Sequence, residues 1–306
     1  MPLASNSGEQ WFGERERVGL EQRIQVRRVL YEGRSEFQSI CVLDTVPFGR
    51  ALILDNILQT TEKDEFIYHE MLVHPTLISL TRPERVLIVG GGDGGSLRRA
   101  LEHSPREVVQ VELDRAVVET CRRHLPRVSS GAFDDPRVQL LFADGYEFVE
   151  KAQESFDAII VDLTDPFPPG PSQRLFTAEF YQAVRRILKE EGLIVTQSSS
   201  ALLLTDELLS IYANLKAVFP LVRVYLAPVP SYPGVVWSFT LASAGNDPLA
   251  LDEAVVRQRL EARGISSRYY SPQLHLASFA LPSFLAALLA EPERLQDLRI
   301  TQPSAQ

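Results

Sequence analysis

The sequence is poor in cysteine, because Cys41 and Cys121 are the only two in 306 residues. They form no Cys-x-x-Cys pair and belong to no Cys/His cluster. A disulfide framework or a zinc site built on cysteine is therefore excluded, and a reducing, cytoplasmic location is expected.

The chain also lacks an excess of positive charge and any long apolar run. Lys and Arg number 31 against 40 Asp and Glu, a formal net charge of −9. Proteins that bind nucleic acid usually carry a basic face, so no nucleic-acid partner is expected. No run approaches the roughly 18 apolar residues of a membrane span, and residues 1–10 have no apolar signal core, so no membrane association is expected. An acidic balance instead suits a cationic ligand.

The first 60 residues are rich in strand signals. Ile24, Val26 and Leu30 alternate with polar neighbours, and further strands are predicted at 37–43, 50–54 and 57–60, with a turn at 55–56. We predict a small antiparallel β domain over residues 1–63. An amphipathic helix is predicted from about Asp64 to Leu80.

From Arg85 onward, strand and helix signals alternate. Short apolar runs predict strands at 86–89, 108–112, 138–142, 157–161 and 193–197, with helices at about 115–124, 145–152 and 177–189. After a helix at 205–218, strands at 221–227 and 235–242 predict an antiparallel hairpin at the sheet edge, and 250–263 and 281–290 have helical patterns. The prediction is α/β: a Rossmann-like (methyltransferase-type), doubly wound, mainly parallel sheet over residues 64–306.

A glycine-rich turn follows the first of these strands, at residues 90–95. Glycines there let a ligand approach the backbone, although a plain structural turn is the alternative. Glu112 ends the next strand, where an acidic residue takes ribose hydroxyls, and Asp144-Gly145 end the third, where such folds hold adenine. The alternative for Glu112 and Asp144 is that both are helix N-caps.

Asp93, inside the glycine turn, favours one class of nucleoside. A carboxylate repels the pyrophosphate of a dinucleotide and the carboxylate of S-adenosylmethionine, but attracts an amine. Decarboxylated S-adenosylmethionine keeps the amine and lacks the carboxylate, so Asp93 suits it best.

Two carboxylates, Asp162 and Asp165, follow the fourth strand above the same crevice. A turn needs only one Asp, so the pair predicts cation binding or base catalysis.

At this point the sequence resembles the polyamine aminopropyltransferases, the spermidine synthase family, over nearly the whole chain. The matching segments are spread along the chain: Trp11-Phe12, Tyr31 to Gln38, Leu54 to Gln59, Asp64 to Glu70, Gly90 to Leu97, Asp162 to Pro166, Pro230 to Gly234 and Ala280 to Pro282. This ordered set is far more specific than any one motif.

The resemblance implies roles for individual residues. The positions implied to hold the thioadenosine part are Gln38, Glu112, Asp144, Gly145 and Pro169. Asp93 matches the carboxylate that holds the aminopropyl amine, and Asp162 the proton acceptor. The implied acceptor pocket also contains Tyr68, His69, Asp165 and Tyr232. The resemblance further implies homodimers or homotetramers, and decarboxylated S-adenosylmethionine as co-substrate without a prosthetic group or metal.

Each of these positions has a structural alternative. Tyr68 and His69 are alternatively helix residues packed on the sheet, Gln38 a strand-face residue and Tyr232 a packed loop aromatic. Trp237 and Phe239 are assigned to strand packing, without a role.

Leu163, where the family commonly has a small residue, and a longer loop over 168–176 leave the amine acceptor open. Putrescine, giving spermidine and 5′-methylthioadenosine, is the first expectation, with agmatine, cadaverine and spermidine as alternatives. The rival functions are an S-adenosylmethionine-dependent methyltransferase, a dinucleotide oxidoreductase and a silent polyamine- or nucleoside-binding protein.

Overall fold

The computed structural model describes residues 3–6, 9–16, 19–166 and 172–291. Six antiparallel strands form the first sheet, in the order of the sequence. The strands are β1 (Leu3–Asn6), β2 (Glu9–Arg15), β3 (Glu21–Arg34), β4 (Ser39–Thr45), β5 (Gly49–Leu54) and β6 (Ile57–Thr61). Asp55 and Asn56 both have positive φ angles, 47° and 66°, as a tight hairpin turn requires. The N-terminal antiparallel sheet is confirmed.

The second sheet has seven strands in the order β12-β13-β11-β10-β7-β8-β9. The strands are β7 (Arg85–Gly90), β8 (Glu107–Glu112), β9 (Val138–Phe142), β10 (Phe156–Asp162), β11 (Leu188–Ser200), β12 (Leu221–Pro228) and β13 (Val236–Ser243). Strands β7 to β11 are parallel, whereas β13 is antiparallel to both β11 and β12. The mainly parallel Rossmann-like sheet with an antiparallel edge hairpin is therefore confirmed.

Helices connect and cover the strands of the second sheet. They are α1 (Glu65–Ser79), α2 (Gly95–Glu102), α3 (Arg115–His124), α4 (Pro126–Ser129), α5 (Gly145–Lys151), α6 (Ala178–Ile187), α7 (Thr205–Lys216), α8 (Glu253–Ala262), α9 (Pro272–Ala277) and α10 (Ser283–Leu289). The predicted helices all exist, while α4 and α9 were not predicted because one or two turns give no readable periodicity. Within the described ranges, no helix is both long and apolar enough to cross a membrane.

Helix α1 is buried almost all round, so the predicted single apolar face is wrong. It packs in one apolar cluster with side chains of both sheets. Pro75 lies inside the helix and has no N–H to donate to Met71 four residues earlier. The hydroxyl of Tyr225 donates to that carbonyl at 2.8 Å, so the proline leaves no buried acceptor unpaired.

The order of the second sheet reverses between β7 and β10, which creates a crevice at the carboxyl ends of these strands. Gly90 and Gly91 end β7 beside Asp162, and the Gly91 N–H donates to the Asp162 carbonyl at 2.8 Å. Gly90 has a φ of 86°, and a Cβ there would lie 2.2 Å from the same carbonyl oxygen. Only glycine permits this close approach, which fixes the two strand ends that carry the site.

Candidate functional site

A cavity lies over this crevice, between the carboxyl ends of the second sheet, the first sheet and the start of α1. Its lining includes these residues singled out from the sequence: Gln38, Tyr68, His69, Asp93, Glu112, Asp144, Gly145, Asp162, Asp165 and Tyr232. Pro169 lies outside the described residues. Residues from positions 38 to 232 thus meet at one place.

Asp93 occupies the turn between β7 and α2. Its Oδ1 accepts a hydrogen bond from the Gly95 N–H at 2.8 Å, which orients the carboxylate at the start of the helix. Its Oδ2 lies 3.4 Å from His69 Nε2. Burial alone would raise the pKa of Asp93, but His69 and the hydrogen bonds hold it below its ordinary value. The cavity therefore presents a fixed anion at this point.

His69 is held between two carboxylates rather than pointing freely into the cavity. Its Nδ1 lies 2.8 Å from Glu65 Oε2, opposite the Asp93 contact of Nε2. The ring also packs directly on the backbone of Gly95, where a Cβ would lie 2.1 Å from the ring. Burial lowers the pKa of His69, but Asp93 and Glu65 outweigh it and raise that pKa to about 10. Both carboxylates thus favour the protonated form of His69.

Asp162, the last residue of β10, receives a hydroxyl on each carboxylate oxygen. Tyr68 Oη donates to Oδ1 at 2.8 Å and Ser96 Oγ donates to Oδ2 at 2.6 Å. Burial raises the pKa of Asp162 above its ordinary value, and the charge of Asp93 adds to this effect, while His69 and the two hydroxyls oppose it. A carboxylate of raised pKa with fixed orientation is suited to accept a proton.

Asp165 is a further carboxyl group of the cavity lining. Ser199 Oγ and Gln197 Nε2 donate to its Oδ1 at 2.7 and 3.1 Å. Burial raises the pKa of Asp165 to about 6 despite these donors. Glu14 and Glu16, at the end of β2, line the same cavity, and burial raises the pKa of Glu14 to about 8. The charges of Glu16 and Asp165 add to the raised pKa of Glu14, and that of Glu16 to the raised pKa of Asp165, so these carboxyl groups lie near one another.

The wall between the carboxylates is aromatic. The Tyr232 ring packs edge-on against Tyr68 and Trp237, with centroid distances of 5.8 and 4.7 Å. Trp237, assigned to strand packing from the sequence, also lines the cavity. The Tyr232 hydroxyl donates to the Gln59 carbonyl, which ties the wall to the first sheet.

The residue before this tyrosine anchors its loop to the start of α1. Ser231 donates to the Asp64 carboxylate from its N–H at 2.8 Å and from its hydroxyl at 3.1 Å. The loop that carries Tyr232 is thus fixed to a segment 167 residues earlier in the chain.

The predicted nucleoside-binding residues form another part of the cavity lining. Asp144 is the N-cap of α5, since its Oδ1 accepts from the Glu147 N–H at 3.0 Å, and its Oδ2 pairs with Arg174. The N-cap alternative is thus confirmed for Asp144. For Glu112 it is wrong, because Asp114 caps α3.

Two further side chains in this part of the lining, Gln38 and Glu112, form hydrogen bonds with Asp114. Gln38 Nε2 donates to Asp114 Oδ2 at 3.0 Å, and the Asp114 N–H donates to Glu112 Oε1 at 2.9 Å. Burial and the charge of Asp114 raise the pKa of Glu112 to about 7, against the pull of backbone N–H groups.

One group of side chains in the described part of the chain has the compactness of a metal site. Nitrogen or oxygen atoms of His69, Asp93 and Asp162 lie within 4.8 Å of one another. Both His69 ring nitrogens, however, are paired with carboxylate oxygens, Nδ1 with Glu65 and Nε2 with Asp93. An imidazole paired with a carboxylate on each side is expected to carry both protons and to have no lone pair for a metal ion. These three residues do not fit a metal site.

Sequence reasoning missed several residues of the site. Ser96 and Glu65 lie inside the segments that carried the resemblance, where their spacing gives no sign of a contact with Asp162 or His69. Glu14 and Glu16 reach the cavity only through the folding of the first sheet against the second.

The sheet order, its edge hairpin and the acidic cavity at the switch point define a methyltransferase-type Rossmann-like protein. Comparison with known proteins narrows this class. Residues 65–250 match the family model described as spermine/spermidine synthase domain, and residues 10–62 match the spermidine synthase tetramerisation domain.

Individual relatives agree with these family models. The polyamine aminopropyltransferase of Thermoanaerobacter sp. (strain X514) is 42% identical over 284 residues, covering 92% of this chain and 99% of the relative. That of Pectobacterium carotovorum subsp. carotovorum (strain PC1) is 43% identical over 282 residues, covering 92% and 97%.

Solved structures are similar as well. A crystal structure of spermidine synthase in complex with the transition state analogue AdoDATO has a TM-score of 0.88 at 38% identity, covering 94% of this chain and 97% of the other. Spermidine synthase from Thermotoga maritima has a TM-score of 0.84 at 37% identity, covering 94% and 96%. The chain belongs to the spermine/spermidine synthase family and is an enzyme of that family.

Proposed function

We propose that the protein transfers the aminopropyl group of decarboxylated S-adenosylmethionine to putrescine, giving spermidine and 5′-methylthioadenosine. The observation that carries this proposal is the set of carboxyl groups that line one cavity. Asp93 and Asp162 have oxygens within 4.8 Å of each other, and Glu112, Asp144 and Asp165 line the same cavity. A cationic donor and a cationic acceptor then meet at Asp162.

The donor occupies the part of the cavity formed by Gln38, Glu112 and Asp144. Glu112 accepts hydrogen bonds from the ribose hydroxyls, because it lies at the end of β8, where acidic residues have this role in Rossmann-like folds. The aminopropyl amine, which is a cation, binds the Asp93 carboxylate. The absence of a carboxylate in the donor matters, since Asp93 and Asp162 would both repel one.

The acceptor diamine lies between Asp162 and Asp165, along the wall of Tyr68, Tyr232 and Trp237. Its distal ammonium is held by Asp165, and the carboxyl groups of Glu14 and Glu16 line the same cavity. Aromatic faces and carboxylates together suit an alkyl chain with a charged end.

The attacking nitrogen must be neutral, yet an aliphatic amine has a pKa near ~10 and is protonated at neutral pH. Asp162 accepts its proton, with Tyr68 helping to orient the nitrogen. The nitrogen lone pair then forms a bond to the aminopropyl carbon next to sulfur. The carbon–sulfur bond breaks with its electron pair going to sulfur, so the sulfonium becomes the neutral thioether of 5′-methylthioadenosine.

The first sheet is the natural surface for self-association. The family model that covers residues 10–62 is described as a tetramerisation domain. We infer that the chain forms homodimers or homotetramers through this sheet, and that the domain boundary lies near residues 63 and 64.

A product assay tests the proposed function. Purified protein is incubated with decarboxylated S-adenosylmethionine and, separately, putrescine, cadaverine, agmatine or spermidine. The release of methylthioadenosine and the mass of the amine product are measured together. Turnover fastest with putrescine supports the proposal, while turnover fastest with another amine replaces the acceptor and keeps the chemistry. No release with any amine, from folded protein, contradicts aminopropyl transfer, and a methylation assay with S-adenosylmethionine then tests the rival transferase.

A further inference from the structure

His69 is surrounded by titratable groups from three parts of the chain. Glu65 and Tyr68 face it from α1, Asp93 from the glycine turn and Asp162 from the end of β10. Its side chain is only 2% exposed. Arg98, on α2, does not touch His69 but donates to Glu65 Oε1 at 2.9 Å. A chain of alternating charges therefore runs from Arg98 through Glu65 and His69 to Asp93.

The carboxylates of Asp93 and Asp162 repel each other, and the positive charge of His69 offsets that repulsion. Atoms of Asp93, Asp162 and His69 lie within 4.8 Å of one another. Two carboxyl groups so close in a poorly solvated site ordinarily share one proton, because like charges oppose ionisation. A shared proton would deprive the reaction of either its donor anchor or its base.

The geometry of His69 fixes its protonation state. A carboxylate accepts hydrogen bonds and donates none, so Nδ1 at 2.8 Å from Glu65 carries a proton. Nε2 faces the Asp93 carboxylate at 3.4 Å, where a lone pair would be repelled. With a proton on each nitrogen the ring is an imidazolium, in agreement with its pKa of about 10.

We propose that Glu65, held by Arg98, is a positioning residue that keeps His69 a permanent imidazolium, and that this buried cation lets Asp93 and Asp162 be ionised together. Its catalytic consequence rests on the function proposed above. Glu65 touches neither substrate in this scheme and acts through His69. His69 in turn acts on the two aspartates, a different role from the acceptor contact expected from the sequence.

Nitrogen NMR of the intact protein tests the protonation state without any assay of activity. The chain has five histidines. The pKa values of His74, His103, His124 and His275 are all lowered, chiefly by burial, so these four are neutral at pH 8.5. We expect one histidine at that pH with the chemical shifts of two protonated ring nitrogens, and its loss in His69→Gln. Five neutral rings in the wild-type protein would overturn the proposal.

The variant Glu65→Gln tests the role of the carboxylate. The amide that replaces the carboxylate can still bond the ring but carries no charge, so the His69 titration midpoint falls. We expect that midpoint, followed by the same nitrogen NMR, to fall by about one pH unit or more. Glu65→Asp, which restores the charge, is expected to bring the His69 midpoint back partway. In His69→Gln, which removes the cation at every pH, the acid limb of the kcat/KM profile, set by ionisation of Asp162, is expected to move up by about one pH unit or more.

Glu70→Gln is the matched control. Glu70 is also a buried glutamate of α1 and pairs with Arg99 of α2 at 3.2 Å, but it bonds the backbone of residues 268–270 away from the cavity. Its loss is expected to lower Tm and leave the His69 midpoint in place. An unmoved His69 midpoint in folded Glu65→Gln, or an unmoved acid limb in folded His69→Gln, refutes the proposal, and should neither variant fold, the wild-type NMR spectrum decides. A wild-type protein with an imidazolium but no turnover would instead count against the proposed function.

Discussion

The replacement of Asp162 by Asn tests the centre of the proposed mechanism. Asn has the same shape, and the hydroxyls of Tyr68 and Ser96, at 2.8 and 2.6 Å from the carboxylate, can rotate to bond its amide. The variant thus removes the base and leaves the cavity in place. At neutral pH only about one amine in a thousand lacks its extra proton, given a pKa near ~10.

A positioned general base is worth about a hundred- to ten-thousand-fold in rate. We expect kcat of Asp162→Asn to fall by about that factor, while the dissociation constant of the donor changes by about tenfold or less, since Asp93 still holds its amine. The assay is methylthioadenosine release at saturating amine, with donor binding measured by calorimetry. Asp165→Asn is the control, and it should raise the acceptor KM more than it lowers kcat. A kcat of Asp162→Asn within about threefold of wild type would remove Asp162 as the base.

Three further predictions follow from the described contacts. Ser96→Ala removes a hydrogen-bond donor to the ionised form of Asp162, so the acid limb of the kcat/KM profile should move up by about half a pH unit or more. Ser96→Thr, which keeps the hydroxyl, should restore it, and an unmoved limb in Ser96→Ala would contradict this prediction. Gly90→Ala, whose Cβ would lie 2.2 Å from a carbonyl at a φ of 86°, should destabilise the fold by about 2 kcal/mol or more, which chemical denaturation measures. Burial lowers the pKa of His74 to about 3 and that of His103 as well. Only the unfolded chain then takes up their protons, so Tm should fall as pH drops below about 6.5, and less steeply in His74→Asn.

The sequence was informative wherever a local pattern decides the structure. The apolar run at 86–89 forms β7, since a strand buried on both faces has to be apolar throughout. The acidic ends of β8 and β10 reach the cavity because parallel strands end at one edge of a sheet. The first rule depends only on the strand itself, and the second only on recognising that the strands are parallel.

What the sequence did not reveal depends on contacts between distant segments. The burial of α1 on all sides needs two sheets that its own periodicity does not specify. Glu14, on β2, lines the same cavity as Asp165, although the two residues are distant in the sequence. The partners of His69 were likewise not readable, because the side chain of a buried histidine gives the same pattern whether it binds a ligand or a carboxylate.

The anchoring of Ser231 by Asp64 has a consequence for how the protein folds. The aromatic wall of Tyr68, Tyr232 and Trp237 forms only after segments 167 residues apart have met. Closing so long a loop loses chain entropy before the contact contributes any stabilisation. The sheets and their local helices can form earlier from nearer contacts. After dilution from denaturant, the recovery of catalytic turnover should therefore lag behind the recovery of helical circular dichroism.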